Sequence, residues 1–115
     1  MIAAESAPPS PTPGRVPRVA RLMALAIVFD RMLREGKVQD QSELARLTHV
    51  TQPRMTQLMN LNLLAPDIQE ALLHLPRIVR GKVPITERHL RPIAAEVDWR
   101  RQRECWPKLK SKFIG

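Results

Sequence analysis

Seven prolines punctuate this chain after its first sixteen residues, at positions 17, 53, 66, 76, 84, 92 and 107. Proline holds φ at about −65° and has no backbone N–H, so it suits the first turn of a helix and stops a helix that runs into it. Between these positions apolar residues recur at three- and four-residue spacing, and no alternating strand pattern is visible. The expected fold class is all-α, a small bundle of about five or six helices.

The first helix is expected from Pro17 or Arg18 to Glu35, with Val19, Leu22, Met23, Ala26, Phe29 and Leu33 as its apolar stripe and Gly36 as a left-handed stop. Asp40-Gln-Ser-Glu43 reads as a capping box opening a short second helix, Gln41 to about Thr48, with Leu44, Ala45 and Leu47 inward. Thr51 offers a hydroxyl cap to a third helix, roughly Gln52 to Leu61, with Pro53 in its first turn. After a break, Pro66 opens a fourth helix to about Leu75. Thr86 can cap a fifth over Glu87 to Ala95, bent or interrupted by Pro92, and Asp98 a last one through about Trp106, ended by Pro107.

Residues 1–16 carry Pro8, Pro9, Pro11 and Pro13 and too little apolar surface to offset ordering entropy, so they read as a disordered tail. Residues 17–107 then form the helical domain and residues 108–115 a basic C-terminal tail.

The chain has 115 residues, with 19 Lys and Arg against 11 Asp and Glu, for a net charge of +8. Glu5 and Arg15 cancel within the tail, so the excess sits on residues 17–115. A polyanionic partner is implied, nucleic acid first and an anionic membrane surface second. Cys105 alone builds neither a disulfide framework nor a zinc cluster. His49, His74 and His89 lie 25 and 15 residues apart, far from local metal-ligand spacing, and suit surface or packing roles. Glu96 and Asp98 sit where helix capping explains them, and Cys105 has no coherent histidine and acid beside it. No catalytic constellation is visible; the expectation is a non-enzyme without cofactor or metal. The longest apolar run, Leu22 to Phe29, has eight residues, against about 20 for a spanning helix. The sequence therefore reads as cytoplasmic and nucleoid-associated.

The informative stretch is Gln41 to Asn60. Two short helices joined by a three- or four-residue turn make a helix-turn-helix. Ala45 is small where the helices cross, and Val50, Met55 and Leu58 fall where the second leans on the first. His49 occupies the turn position that often holds glycine and must reach the left-handed region, where histidine is enriched. In this reading the helix from Gln52 enters the major groove and presents Thr51, Gln52, Pro53, Arg54, Thr56, Gln57 and Asn60 to base edges. Arginine suits guanine, Gln and Asn suit adenine, and threonine methyls can meet thymine. The bland alternative is a polar solvated face of a helical bundle.

Ser42-Glu-Leu-Ala-Arg-Leu, Val50-Thr-Gln-Pro-Arg-Met-Thr-Gln-Leu and Leu61-Asn-Leu-Leu-Ala-Pro-Asp-Ile-Gln-Glu-Ala-Leu72 together resemble the DNA-binding domain of ParB-type partition proteins. There a helix-turn-helix is followed by a short break and a helix opening with a proline-acid-isoleucine motif, matched here by Pro66-Asp67-Ile68. The likeness covers about residues 40–75. The family's preceding nucleotide-binding domain has no counterpart in residues 1–39, and no Gly-rich phosphate loop is present, so cytidine triphosphate binding is not carried over. The resemblance implies a stand-alone module reading double-stranded DNA. The chain is also similar to small proteins associated with site-specific recombinases of mobile elements.

Arg46, Arg77, Arg80, Lys82, Arg100, Arg101 and Arg103 are the candidates for phosphate contact, which supplies salt-sensitive affinity. The alternative for the last three is a solvated face on a helix that Trp99 and Trp106 dock to the core. A second function class is a protein-interaction module docking on a recombinase or a replication or partition protein; a membrane-surface role is disfavoured because no Lys-rich stripe opposes a broad apolar one. No dimerisation heptads are visible; a homodimer on a palindrome and a partner that supplies the symmetry both stay open.

Overall fold

The computed structural model of the chain describes residues 14–78 and 84–113, so the expected disordered tail lies outside them up to residue 13, and its end is corrected: Arg15 is paired through its backbone with Ile78. Every regular element among them is helical: α1 (Arg18–Arg34), α2 (Gln41–Thr48), α3 (Gln52–Met59), a 3-10 turn (Asn60–Leu63), α4 (Pro66–Leu73), α5 (Glu87–Ala95) and α6 (Trp99–Phe113). This is the expected small all-α bundle. No described helix is long and apolar enough to cross a membrane.

α1 buries Val19, Ala20, Met23, Ala26 and Phe29 against α3 and α4, while Leu22 and Leu33 of the expected stripe stay half-buried. It ends at Gly36, whose φ of 75° is the left-handed stop that a side chain would strain. α2 starts on Asp40, whose carboxylate accepts the Glu43 amide at 2.8 Å. The Glu43 side chain reaches back to the Gln39 amide at 2.6 Å, one residue before the box would place it. Leu44 and Ala45 are buried, but Leu47 points out and is 57% exposed. α2 packs against α3 with Leu44 and Ala45 inside, and Leu47 falls on the other side of the helix.

His49 closes α2 at φ 58° and ψ 38°, as the turn requires. Val50 donates its N–H to the Ala45 carbonyl at 2.9 Å, which folds the chain back towards α3. Thr51 caps α3 by accepting the Arg54 amide at 3.3 Å. Met55, Leu58 and Met59 face the core. α3 ends at Met59, two residues before the expected Leu61, because the chain tightens into the 3-10 turn that buries Leu61. α4 ends at Leu73 rather than Leu75.

Two prolines do less than their chemistry suggests. α5 runs without interruption through Pro92, and α6 continues through Pro107 to Phe113. The expected helix end at Pro107 and the separate tail from 108 are therefore corrected: Lys108, Lys110 and Lys112 ride on α6. A mid-helix proline costs about 3 kcal/mol. Burial of Trp106 before it, and packing of Leu109 and Phe113 against the core after it, offset that cost. Trp99, expected to dock with Trp106, is instead 45% exposed and donates its indole N–H to the Leu63 carbonyl at 3.2 Å.

Among the described residues one polar side chain lies wholly inside. Gln102 accepts the Ala65 amide at 2.7 Å and donates to the carbonyls of Glu96 at 2.8 Å and Leu63 at 3.1 Å. It thereby joins the start of α4, the end of α5 and the 3-10 turn to α6. Ala65 has no side-chain cap of its own, so Gln102 supplies from 37 residues away what a local residue usually does. Gln102→Leu keeps the volume but strands the Ala65 N–H and the Glu96 carbonyl. We expect a loss of about 2–4 kcal/mol, read as a lower urea midpoint at unchanged slope.

Candidate nucleic-acid interface

α2 fixes the entry of α3. Ser42, in the first turn of α2, exchanges hydrogen bonds with the Gln52 amide group at 3.0 and 3.2 Å, so the N-terminal ends of the two helices lie side by side. α5 fixes its flank. Arg54 Nη1 donates to both oxygens of Glu87 at 2.6 and 2.7 Å, and one turn further Arg91 Nη2 reaches Gln57 Oε1 at 3.4 Å. α3 and α5 thus run alongside each other with their N-terminal ends at the same end of the molecule. A groove of about 240 Å³ between them is lined by Gln57, Asn60, Leu63, Arg91 and Ala94, among others.

The expected base-reading residues divide on this geometry. Gln52, Pro53, Thr56, Gln57 and Asn60 are exposed on the outer side of α3, and Thr51 is exposed while serving as its cap. α3 carries no acidic residue. Arg54 departs from the expectation of a free outward donor. Its side chain is 33% exposed and is paired with Glu87, itself 10% exposed. A carboxylate so little solvated needs a partner, and α5 brings it against the first turn of α3. Gln57 is also partly engaged, by Arg91.

The expected phosphate contacts divide more sharply. Arg103 donates Nε to both Asp67 oxygens at 3.0 and 3.1 Å and lies over the Trp99 ring at 5.9 Å, so it is paired within the molecule although it stays exposed. The Arg103 guanidinium holds the Asp67 carboxyl below its ordinary range, and Asp67 raises Arg103 in return. Arg101 faces Glu96 at 4.0 Å and Arg46 faces Glu43 at 3.9 Å, both loose and exposed. Arg77 reaches the Gly14 carbonyl at 3.5 Å. Arg100 is exposed; Arg80 and Lys82 lie outside the described residues.

Position matters as much as pairing. His89, near the start of α5, packs on Phe113 at the end of α6, with ring centroids 4.7 Å apart. Glu96, at the other end of α5, meets Arg101 and Gln102 at the start of α6. The two helices are antiparallel, so Arg100, Arg101 and Arg103 sit about 15–20 Å along α6 from its Phe113 end, where α5 begins beside the first turn of α3.

At the near end stand cations that the sequence reading left unassigned. Arg18 and Arg21, one helical turn apart on α1, and Arg88 on α5 line a common cleft with Arg15. Their signal was present as an i, i+3 arginine pair off the apolar stripe, but only the fold brings Arg88 to it. Among the described residues no group of three or more His, Cys, Asp or Glu is placed to hold a metal ion.

Two outcomes are expected. A double-mutant cycle on Arg54→Ala and Glu87→Ala, followed by urea unfolding, should return a coupling of about 1–2 kcal/mol, between exposed and buried pairs; additive losses would remove the pair from the account. The pair formed by Asp67 strengthens as its carboxyl ionises, so it is complete above the ordinary aspartate pKa of about 3.9 and is lost as pH falls through the depressed value. An NMR titration should place Asp67 below its usual midpoint and return it there in Arg103→Ala.

Comparison of the chain with protein-family models, with curated proteins and with solved structures found no match.

Proposed function

We propose that this chain is a sequence-specific DNA-binding module without catalytic activity, which inserts α3 into the major groove of double-stranded DNA. The observation that carries the reading is the outer face of α3. Gln52, Thr56 and Asn60 follow one another at four-residue spacing, exposed and without an acid among them. Gln and Asn amides match the donor and acceptor of adenine, and the threonine methyl matches that of thymine. The helix is carried on α2 through a left-handed turn and a hydroxyl cap. That arrangement is what a helix-turn-helix of the ParB type requires, and a net charge of +8 suits a polyanion. On this reading DNA is the partner, the chain works at the nucleoid, and a recombinase or partition protein is the protein it would assist.

The pairing of Arg54 shapes the specificity expected. A guanidinium held by Glu87 is not free to fork onto guanine, so reading falls to Gln52, Thr56 and Asn60, and adenine and thymine should dominate the bases under α3. A protein-interaction module is the second reading. Leu63, Val97 and Trp99 favour it, since they are exposed apolar side chains close together where α6 begins.

The test is DNA binding from a random pool at several salt concentrations, with sequencing of the retained fraction. An enriched, A·T-containing motif with affinity falling steeply in salt is expected. Gln52→Ala and Asn60→Ala should each weaken binding to that motif by about 1–3 kcal/mol and leave random DNA unaffected. Salt-sensitive binding without enrichment overturns the specificity, and no binding at low salt overturns the DNA reading in favour of a protein partner.

A further inference from the structure

The start of α1 and the start of α5 enclose a half-open cleft of about 830 Å³. Its floor is apolar, with Val19, Leu22 and Ile85, and its rim carries Arg15, Arg18, Arg21 and Arg88. All four arginines are exposed, and among the described residues none has a carboxylate partner. Seven cations elsewhere lie within 4.0 Å of an acid, and of the ten described lysines and arginines that do not, four share this one cleft. Glu87 also lines the cleft, but its oxygens are taken by Arg54 at 2.6 Å and Arg91 at 3.8 Å, so it does not neutralise the rim.

The wall carrying Arg15 is fixed. Arg15 and Ile78 exchange backbone hydrogen bonds at 2.8 and 3.2 Å. Gly14 beside them has φ 90°, and a Cβ there would collide with the Ile78 carbonyl oxygen. Four like charges around one cleft repel one another, which a polyanion would relieve.

The cleft is also placed with respect to α3. Glu87 ties its α5 wall to Arg54, in the first turn of α3, and that first turn is the end a recognition helix presents to bases. A duplex holding the first turn of α3 in its major groove runs its backbone past the elements beside that turn.

We infer that this cleft is a phosphate-binding site for the backbone of the same DNA duplex, with Arg18, Arg21 and Arg88 contacting phosphodiester oxygens that flank the bases read by α3. The inference rests on the proposed DNA-binding function. Phosphate contact there carries no sequence information; it fixes register and supplies affinity through release of condensed counterions.

The test is the salt dependence of binding to the enriched motif, with parent chain and the triple variant R18Q/R21Q/R88Q. Each lost phosphate contact lowers the slope of log affinity against log salt by roughly 0.9, so a drop of roughly 2.7 is expected for three. The enriched motif should be unchanged, and phosphates whose ethylation blocks the parent should cease to matter at two or three flanking positions. R18K/R21K/R88K should restore most of the slope, which separates lost charge from lost fold. An unchanged slope and ethylation pattern in a variant that still reads the motif overturns the cleft inference and leaves the DNA reading standing. So does binding of inorganic phosphate to the cleft with the DNA slope unaltered, which assigns it to a free anion. A parent chain that binds no DNA overturns both.

Discussion

The buried amide of Gln102 is the contact on which the arrangement of the outer helices depends. A side-chain amide shut off from water must find its partners inside. Gln102 finds them in the backbone at the start of α4, in the 3-10 turn and at the end of α5. These are places where helices end and carbonyls or amides lack helical partners. One residue therefore sets how α5 and α6 return across the bundle. The return of α5 brings Glu87 against Arg54 and so holds the flank of α3. An apolar residue at position 102 would fill the same space without specifying which backbone groups meet it.

Charge is the second level of organisation. The chain is strongly basic, but its cations are not equivalent. Arg103 is consumed by Asp67 and Trp99, and Arg54 by Glu87; Arg101 and Arg46 are loosely countered. Of the ten described cations without an acid within 4.0 Å, four, Arg15, Arg18, Arg21 and Arg88, line one cleft. Fixed donors on two rigid helices lose less freedom on contact than the same charges on a flexible tail. Four of the unpaired charges are thus gathered where α1 and α5 begin, although the densest run of arginines in the sequence is at 100–103.

Sequence foretold the local features well. The Asp40 cap, the Thr51 cap, the left-handed His49 and the stop at Gly36 each depend on atoms within four residues of one another, and all are found where the residue types place them. What was not legible depends on long separations. Nothing in Gln102 marks it as a core residue, because its partners at Leu63 and Ala65 are 39 and 37 residues away. Arg54 reads as a free donor until Glu87, 33 residues on, is seen beside it. Pro107 reads as a stop because propensity is local, whereas the packing of Leu109 and Phe113 that carries α6 past it is tertiary. Trp99 and Trp106 share a helical face on paper, yet the core has room for one of them.

The same local-against-distant division bears on how α3 would read DNA. A helix that enters a groove must keep its outer polar groups available and its orientation fixed, and one side chain cannot serve both ends. Arg54 is given to orientation: its pair with Glu87 joins α3 to α5 through two nearly buried carboxylate bonds. Gln52 and Gln57 are intermediate, because their bonds to Ser42 and Arg91 lie in the open and exchange readily with bases or water. Thr56 and Asn60 are exposed, and among the described residues no hydrogen bond engages their side chains. The strongest donor on the helix thus acts as a strut, and on the proposed reading recognition would pass to amides and a hydroxyl. Such groups carry little long-range attraction, so a chain built this way needs its affinity from charges placed outside the recognition helix.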